Sequence, residues 1–147
     1  MKVSEAMSRD VKVCTPGATI RDCARMMEQI DAGAMPVGEN DRLIGMITDR
    51  DIAIRGIAHG KGPDTPVREV MSTEVRYCYD DEDIEHVAEN MAEEQVRRLP
   101  VVNRDKRLVG IISLGDLALK QRKSAAQAVS GVSRQGGQHN QSAGPRA

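Results

Sequence analysis

The chain nearly repeats itself, and this constrains its fold more than any other feature. Shifted by 64 residues, Val3-Ser4-Glu5-Ala6-Met7-Ser8 falls on Val67-Arg68-Glu69-Val70-Met71-Ser72, and Cys14 falls on Cys78. Ile20, Cys23, Ala24 and Met27 fall on Ile84, Val87, Ala88 and Met91, and Pro36-Val37 falls on Pro100-Val101. With one residue inserted, Gly45-Met46-Ile47-Thr48-Asp49-Arg50-Asp51 falls on Gly110-Ile111-Ile112-Ser113-Leu114-Gly115-Asp116. Apolar positions, a proline, a glycine and an aspartate held in one register mark an internal duplication.

Each copy reads as β-α-β-β-α. An extended piece comes first, Asp10 to Cys14 or Glu74 to Tyr79. A helix follows from an N-cap at Thr19 or Asp83, with Asp22 three residues after Thr19, close to a capping box. Apolar residues at 20, 23, 24, 27 and 30 give this helix one buried face. It is expected to end near Asp31-Ala32-Gly33, where Gly33 can supply a left-handed cap. Two short strands come next, Ala34 to Val37 and Leu43 to Thr48, joined by a polar turn from Gly38 to Arg42. A second helix opens at Thr48 or Ser113.

This gives a repeat unit at 1–60, a linker at 61–66, a second unit at 67–123 and a polar tail at 124–147, expected to be disordered. The fold class is α+β. A unit of about 60 residues with such short strands buries its sheet poorly alone. Two units related by a pseudo-two-fold axis, packed sheet to sheet, would solve this and leave two related clefts at the seam.

Composition removes several functions. With 21 Lys+Arg against 22 Asp+Glu, nothing favours nucleic acid or a membrane surface as the partner. Tyr77 and Tyr79 are the only aromatic residues, too few for a base-stacking platform. No apolar run reaches the roughly 20 residues of a membrane helix, and no apolar leader follows Met1, so the cytoplasm is the expected location. Three cysteines do not make a disulfide scaffold, and His59, His86 and His139 share no ligand spacing with them, so no metal site is expected. There is no nucleophile–base pair and no GxxxxGK[ST] loop, so no enzymatic activity and no required cofactor are expected.

What remains is the repeated Ser/Thr-x-x-Asp corner. A carboxylate accepts hydrogen bonds from two vicinal hydroxyls, so Asp51 and Asp116 suit a ribose. A hydroxyl and free N–H groups at a helix start, at Thr48 and Ser113, suit an anion. The same spacing is also a helix capping box, and sequence leaves both readings open. Cys14 and Cys78 read as small apolar strand residues, with a thiol-regulated role as the alternative, and Cys23 reads as core.

The opening Val-x-x-x-Met-Ser, the Met35-Pro36-Val37 and Leu99-Pro100-Val101 strands and the two Gly-h-h-[ST]-x-x-Asp corners (h, an apolar residue) resemble the cystathionine β-synthase-type (CBS) domain in its tandem form. The resemblance covers roughly residues 1–122, and the chain is most similar to small stand-alone bacterial CBS pairs. It implies adenosine phosphates in the clefts, as regulatory ligands rather than cofactors. Asp51 and Asp116 would take ribose hydroxyls. Thr48, Ser113 and a basic residue before h-Pro-Val would approach phosphate. Only the second copy has that residue, Arg98; the first has Ala34, with Arg50 as a substitute. Cys14, Thr15, Met35, Pro36, Tyr79, Leu99 and Pro100 would line the clefts, with Tyr79 able to edge onto adenine. The resemblance also implies a homodimer and a separate, unidentified regulated protein. The competing reading is an interaction or stress-associated module that binds no small molecule, favoured by Ala34 and the paired cysteines. Between the two clefts, Arg98 favours the one built on Ser113 and Asp116.

Overall fold

Helix α1 spans Val3–Ala6, α2 Ile20–Ile30, α3 Ile84–Glu94 and α4 Leu114–Lys120; strands are β1 Ala34–Glu39, β2 Arg42–Thr48, β3 Cys78–Tyr79, β4 Arg98–Val102 and β5 Leu108–Ser113. This is a computed structural model, describing residues 1–120 and 129–130; the tail assigned to 124–147 lies almost wholly outside the described residues. The α+β class read from sequence is the observed one. Among the described residues no helix is long and apolar enough to cross a membrane.

The two middle helices start as their sequences dictate. The Thr19 hydroxyl accepts from the Asp22 N–H at 3.1 Å, and the Asp83 carboxylate accepts from the Glu85 N–H at 3.0 Å. Each satisfies an N–H that the first helical turn leaves unpaired. The expected cap at Gly33 is not observed. The left-handed residue is Asp31 (φ 53°) in the first copy and Gln95 (φ 56°) in the second. In each copy this residue's N–H bonds back to the last turn of its helix, Asp31 to the Met27 and Glu28 carbonyls and Gln95 to the Met91 carbonyl. Gly33 meets a different constraint: a Cβ there would lie 3.0 Å from the Asp49 carboxylate.

β1 and β2 pair antiparallel, from Ala34 opposite Thr48 to Glu39 opposite Arg42. Asn40 and Asp41, both at positive φ (53° and 63°), make the two-residue turn, the arrangement whose twist matches a hairpin. Cys14 bridges in parallel to Val37. In the second copy β3, β4 and β5 form one sheet in that order, with Cys78 opposite Val101.

The chain divides into two compact units that cut across the boundaries drawn from sequence. One, the Cys14 unit, comprises Lys12–Val75 with Lys106–Leu108. The other, the Cys78 unit, comprises Met1–Val11, Arg76–Asp105 and the chain from Val109. The openings of the two copies are exchanged. In the Cys78 unit, Val3 and Ser4 donate to the carbonyls of Glu82 and Asp80, and Ser8 pairs with Ile111. In the Cys14 unit, Val67 and Arg68 donate to the carbonyls of Ala18 and Pro16, and Ser72 pairs with Met46.

The cores follow this division. Val3 and Ala6 are buried with Ile84, Val87, Met91, Val101, Ile112 and Leu117. Val67 and Val70 are buried with Ile20, Met27, Met35, Val37 and Ile47. The motif glycines exist for this docking. A Cβ on Gly45 would sit 2.8 Å from the Met71 sulfur and 2.9 Å from the Ser72 carbonyl oxygen. One on Gly110 would meet Met7 sulfur at 2.5 Å and the Ser8 carbonyl oxygen at 2.9 Å. Only glycine lets another backbone lie so close to a strand.

Candidate functional site

Each corner joins the last strand of its copy to the helix that follows. The Thr48 N–H donates to Asp51 Oδ2 at 3.0 Å, and the Asp51 N–H donates to Thr48 Oγ1 at 3.0 Å. In the second copy Asp116 Oδ2 accepts from both the N–H (2.9 Å) and the hydroxyl (3.1 Å) of Ser113, and the Asp116 N–H donates to Ser113 Oγ at 3.2 Å. Both corners are therefore reciprocal capping boxes. One oxygen of each carboxylate is spent on the cap. The second oxygen of Asp51 faces Arg55 at 3.9 Å. Among the described residues the second oxygen of Asp116 takes no hydrogen bond or ion pair.

The corners are tied to the start of the preceding strand. The Asp49 N–H donates to the Gly33 carbonyl at 2.9 Å, and the Leu114 N–H donates to the Arg97 carbonyl at 3.1 Å. This sets Ala34 opposite Thr48. It also brings Arg98 to the end of the sheet that carries Ser113 and Asp116. Arg98 is exposed and, among the described residues, its side chain makes no hydrogen bond or ion pair. Arg50 is also exposed, with its N–H bonded to Asp49 Oδ1 at 2.8 Å.

The helices beyond the corners differ. Asp51–Gly56 is a π-helix, continued by a 3-10 turn over Ile57–His59 and closed by Gly60 at φ 78°. After Ser113 an ordinary α-helix follows. π-Turns within helices are uncommon and recur at functional sites. Here one side of the turn is set by packing: Gly56 is buried, and a Cβ on it would touch Ile20 at 3.4 Å.

The candidate residues read from sequence divide cleanly between the units. Cys14, Thr15, Met35, Pro36, Thr48, Arg50 and Asp51 fall in the Cys14 unit; Tyr79, Arg98, Leu99, Pro100, Ser113 and Asp116 fall in the Cys78 unit. Met35, Pro36, Leu99 and Pro100 are buried strand residues, whereas Thr15 is exposed. The Tyr79 ring is already engaged. The Arg104 guanidinium lies 4.0 Å over its centroid, and Tyr77 meets its edge at 5.7 Å and 83°. Arg104 is held there by Asp81, through two hydrogen bonds of 2.7 and 2.8 Å. This guanidinium keeps the Asp81 carboxyl below the usual carboxylate range. Sequence reading missed Arg104, which lies in the turn between β4 and β5.

It also missed what Cys23 does. The Cys14 and Cys23 sulfurs are 2.8 Å apart, and the Met35 sulfur is 3.8 Å from Cys14. The signal was available: Cys23 lies on the buried helical stripe facing the Cys14 strand. Cys78 has no such neighbour, since Val87 stands where Cys23 would be. Burial, with Glu82 and Asp80 nearby, pushes the Cys78 thiol up to about 12. Among the described residues no cluster of His, Cys, Asp or Glu could hold a metal ion.

A small α+β unit present twice, with a capped Ser/Thr-x-x-Asp corner in each copy, defines a tandem-repeat module. The chain belongs to the CBS domain family, whose model matches residues 3–55 and 67–122. It is 44% identical over 135 residues to the CBS domain-containing protein YhcV of Bacillus subtilis, covering 90% of this chain and 96% of that protein. The solved structure of Hypoxic Response Protein I, with two coordinated zinc ions, is 36% identical with a TM-score of 0.73, covering 82% of this chain and 98% of that one. The CBS pair of protein MJ0100, in complex with 5-methylthioadenosine and S-adenosyl-L-methionine, is 25% identical with a TM-score of 0.69, covering 81% and 94%.

Proposed function

We propose that this chain is a regulatory module that binds an adenosine-containing ligand, of the AMP, ADP, ATP or S-adenosylmethionine kind, at the Ser113–Asp116 corner. One observation carries the reading. Asp116 keeps an oxygen outside its cap, at the sheet end that carries the exposed Arg98, whose side chain is unpaired among the described residues. A carboxylate oxygen takes a ribose hydroxyl, and a guanidinium takes a phosphate in two-point contact. The Thr48–Asp51 corner offers less, because Ala34 replaces the arginine and Arg55 faces its carboxylate. The adenosyl ligands of MJ0100 support the same class of ligand. Binding would act by shifting the population of conformations that a separate target protein meets.

Self-association belongs to this reading. Ile54 (47% exposed) and Ile57 (59%) are exposed apolar residues, and Ile57 lines an open groove of about 320 Å³ whose wall also carries Ile52 and Pro63 with the charged Arg21, Arg25 and Glu28. A second copy would cover these apolar groups.

A second reading has its own observation. Both corners are complete as capping boxes without any ligand. A module that binds only protein would need nothing more from them. Calorimetric titration of the purified chain with AMP, ATP and S-adenosylmethionine separates the two. Binding heat that disappears in Asp116→Ala supports the nucleotide reading; no heat and no thermal shift at millimolar ligand leaves the protein-only one. A native mass spectrum of the chain as purified would identify a retained ligand directly.

A further inference from the structure

We infer that Cys14 and Cys23 are a dithiol pair that closes to a reversible disulfide under mild oxidation, and that Cys78 stays outside this chemistry. All three are free thiols here. The Cys14–Cys23 separation of 2.8 Å is well inside the roughly 3.5–4.0 Å that even nonbonded carbon atoms keep. It falls between that contact distance and the S–S bond length of about 2.05 Å. It is too short for a shared metal: two sulfurs on a tetrahedral zinc, each about 2.3 Å from the ion, stand roughly 3.8 Å apart. A bond between these two sulfurs is the chemistry that fits.

Both partners sit on elements that hold them facing. Cys14 is fixed by its N–H to the Pro36 carbonyl (3.0 Å) and its C=O to the Gly38 N–H (2.9 Å). Cys23 is in the first turns of α2 and fully buried. Cys14 is buried (2% exposed) between the exposed Val13 and Thr15, so its segment runs along the surface with the thiol turned inward toward α2. The Cys23 hydrogen bond holds the Cys14 thiol below its ordinary pKa, against burial and Asp22, which favours thiolate at Cys14. The contact with Cys14, together with burial, pushes the Cys23 thiol up, so it remains a thiol.

The oxidant is a peroxide. The Cys14 thiolate attacks one peroxide oxygen, the O–O bond breaks, and a sulfenic acid and hydroxide result. The Cys23 sulfur then displaces the sulfenic oxygen as water, forming S–S. Two thiols and one peroxide give one disulfide and two waters. The link would tether the segment carrying Thr15 to α2. This chemistry requires no nucleotide binding.

The test uses the full chain. Reduced protein is exposed to hydrogen peroxide, denatured in acid, alkylated and mapped by mass spectrometry. Alkylated cysteines should fall from three to one, the survivor being Cys78, with a Cys14–Cys23 crosslinked peptide that dithiothreitol reverses. Cys78→Ser should fall from two to none. The inference is overturned if all three thiols survive an exposure that oxidises glutathione in the same tube. It is equally overturned if Cys14 ends as sulfinic acid, or if the crosslink involves Cys78.

Discussion

Asp116 and Ser113 hold each other three times over. Asp116 Oδ2 accepts from both the backbone N–H and the hydroxyl of Ser113, and Ser113 Oγ accepts from the Asp116 N–H. The residue pair proposed to meet a ligand therefore also starts α4, and a substitution there acts on folding and binding together. Ser113→Ala and Asp116→Ala should each lower unfolding free energy by about 1 kcal/mol, the usual loss of a helix cap. Because they share bonds, the double variant should lose less than the sum. Urea denaturation of the four proteins, without ligand, measures the coupling; strict additivity would contradict the reciprocal geometry.

Arg98→Ala separates the two roles. Arg98 is exposed and unpaired among the described residues, so its loss should leave stability within about 0.5 kcal/mol of wild type. A charge-assisted hydrogen bond is worth about 1.5–3 kcal/mol, so AMP affinity should fall roughly 10- to 100-fold. Adenosine, lacking phosphate, should bind nearly as before. Equal loss for both ligands, by calorimetry, would remove Arg98 from the phosphate.

The glycines of the two corners predict a purely structural effect. Gly45→Ala must displace Met71 and the Ser72 carbonyl, and Gly110→Ala must displace Met7 and the Ser8 carbonyl. The methionines can yield but the backbones resist, so each substitution should cost about 1–3 kcal/mol. A wild-type melting temperature in either variant would show that the opening segments are not held against the strands.

These glycines also mark how far the sequence could be read. The duplication, both central helices, the hairpin and the corners were legible, because periodicity and capping are local. The exchange of openings was not. Val3 and Val67 look alike, and nothing in the order of residues tells Val3 to pack with Ile84 rather than Ile20. The left-handed caps at Asp31 and Gln95 were missed because glycine, at 33, was the better local candidate. At the site, sequence named the corners and the asymmetry of Arg98. It could not show that each carboxylate spends an oxygen on its own helix, or that Arg104 covers Tyr79.

Cys78 predicts a loss of stability at high pH. Its folded-state pKa is raised to about 12 by burial and by Glu82 and Asp80, whereas an unfolded thiol titrates near 8.5. The unfolded chain alone ionises between these values. The contribution is thus fully present below about pH 8.5 and lost as pH rises towards 12. Cys78→Val should flatten the fall in denaturation midpoint between pH 8 and 10; an unchanged slope would place its cause elsewhere.

Ile54→Lys with Ile57→Lys tests self-association. Both side chains are about half exposed, so the double substitution should leave the fold intact. If a second copy covers this face, the wild type should elute with twice the chain mass in light scattering and the variant with one. A monomeric wild type at tens of micromolar would remove self-association from the proposed function.

The exchanged openings impose an order on synthesis. Translation supplies the Cys14 unit as an almost continuous stretch, and Ser72 completes its pairing with Met46 before β3 has been made. Residues 3–8 are made before the Cys14 unit, yet their partners at Asp80, Glu82 and Ile111 all come after Val75. The opening segment must wait for the whole Cys14 unit to be made before it can dock. A bulky fusion or a deletion at residues 1–8 would therefore wound the Cys78 unit, not the Cys14 unit that follows it in sequence.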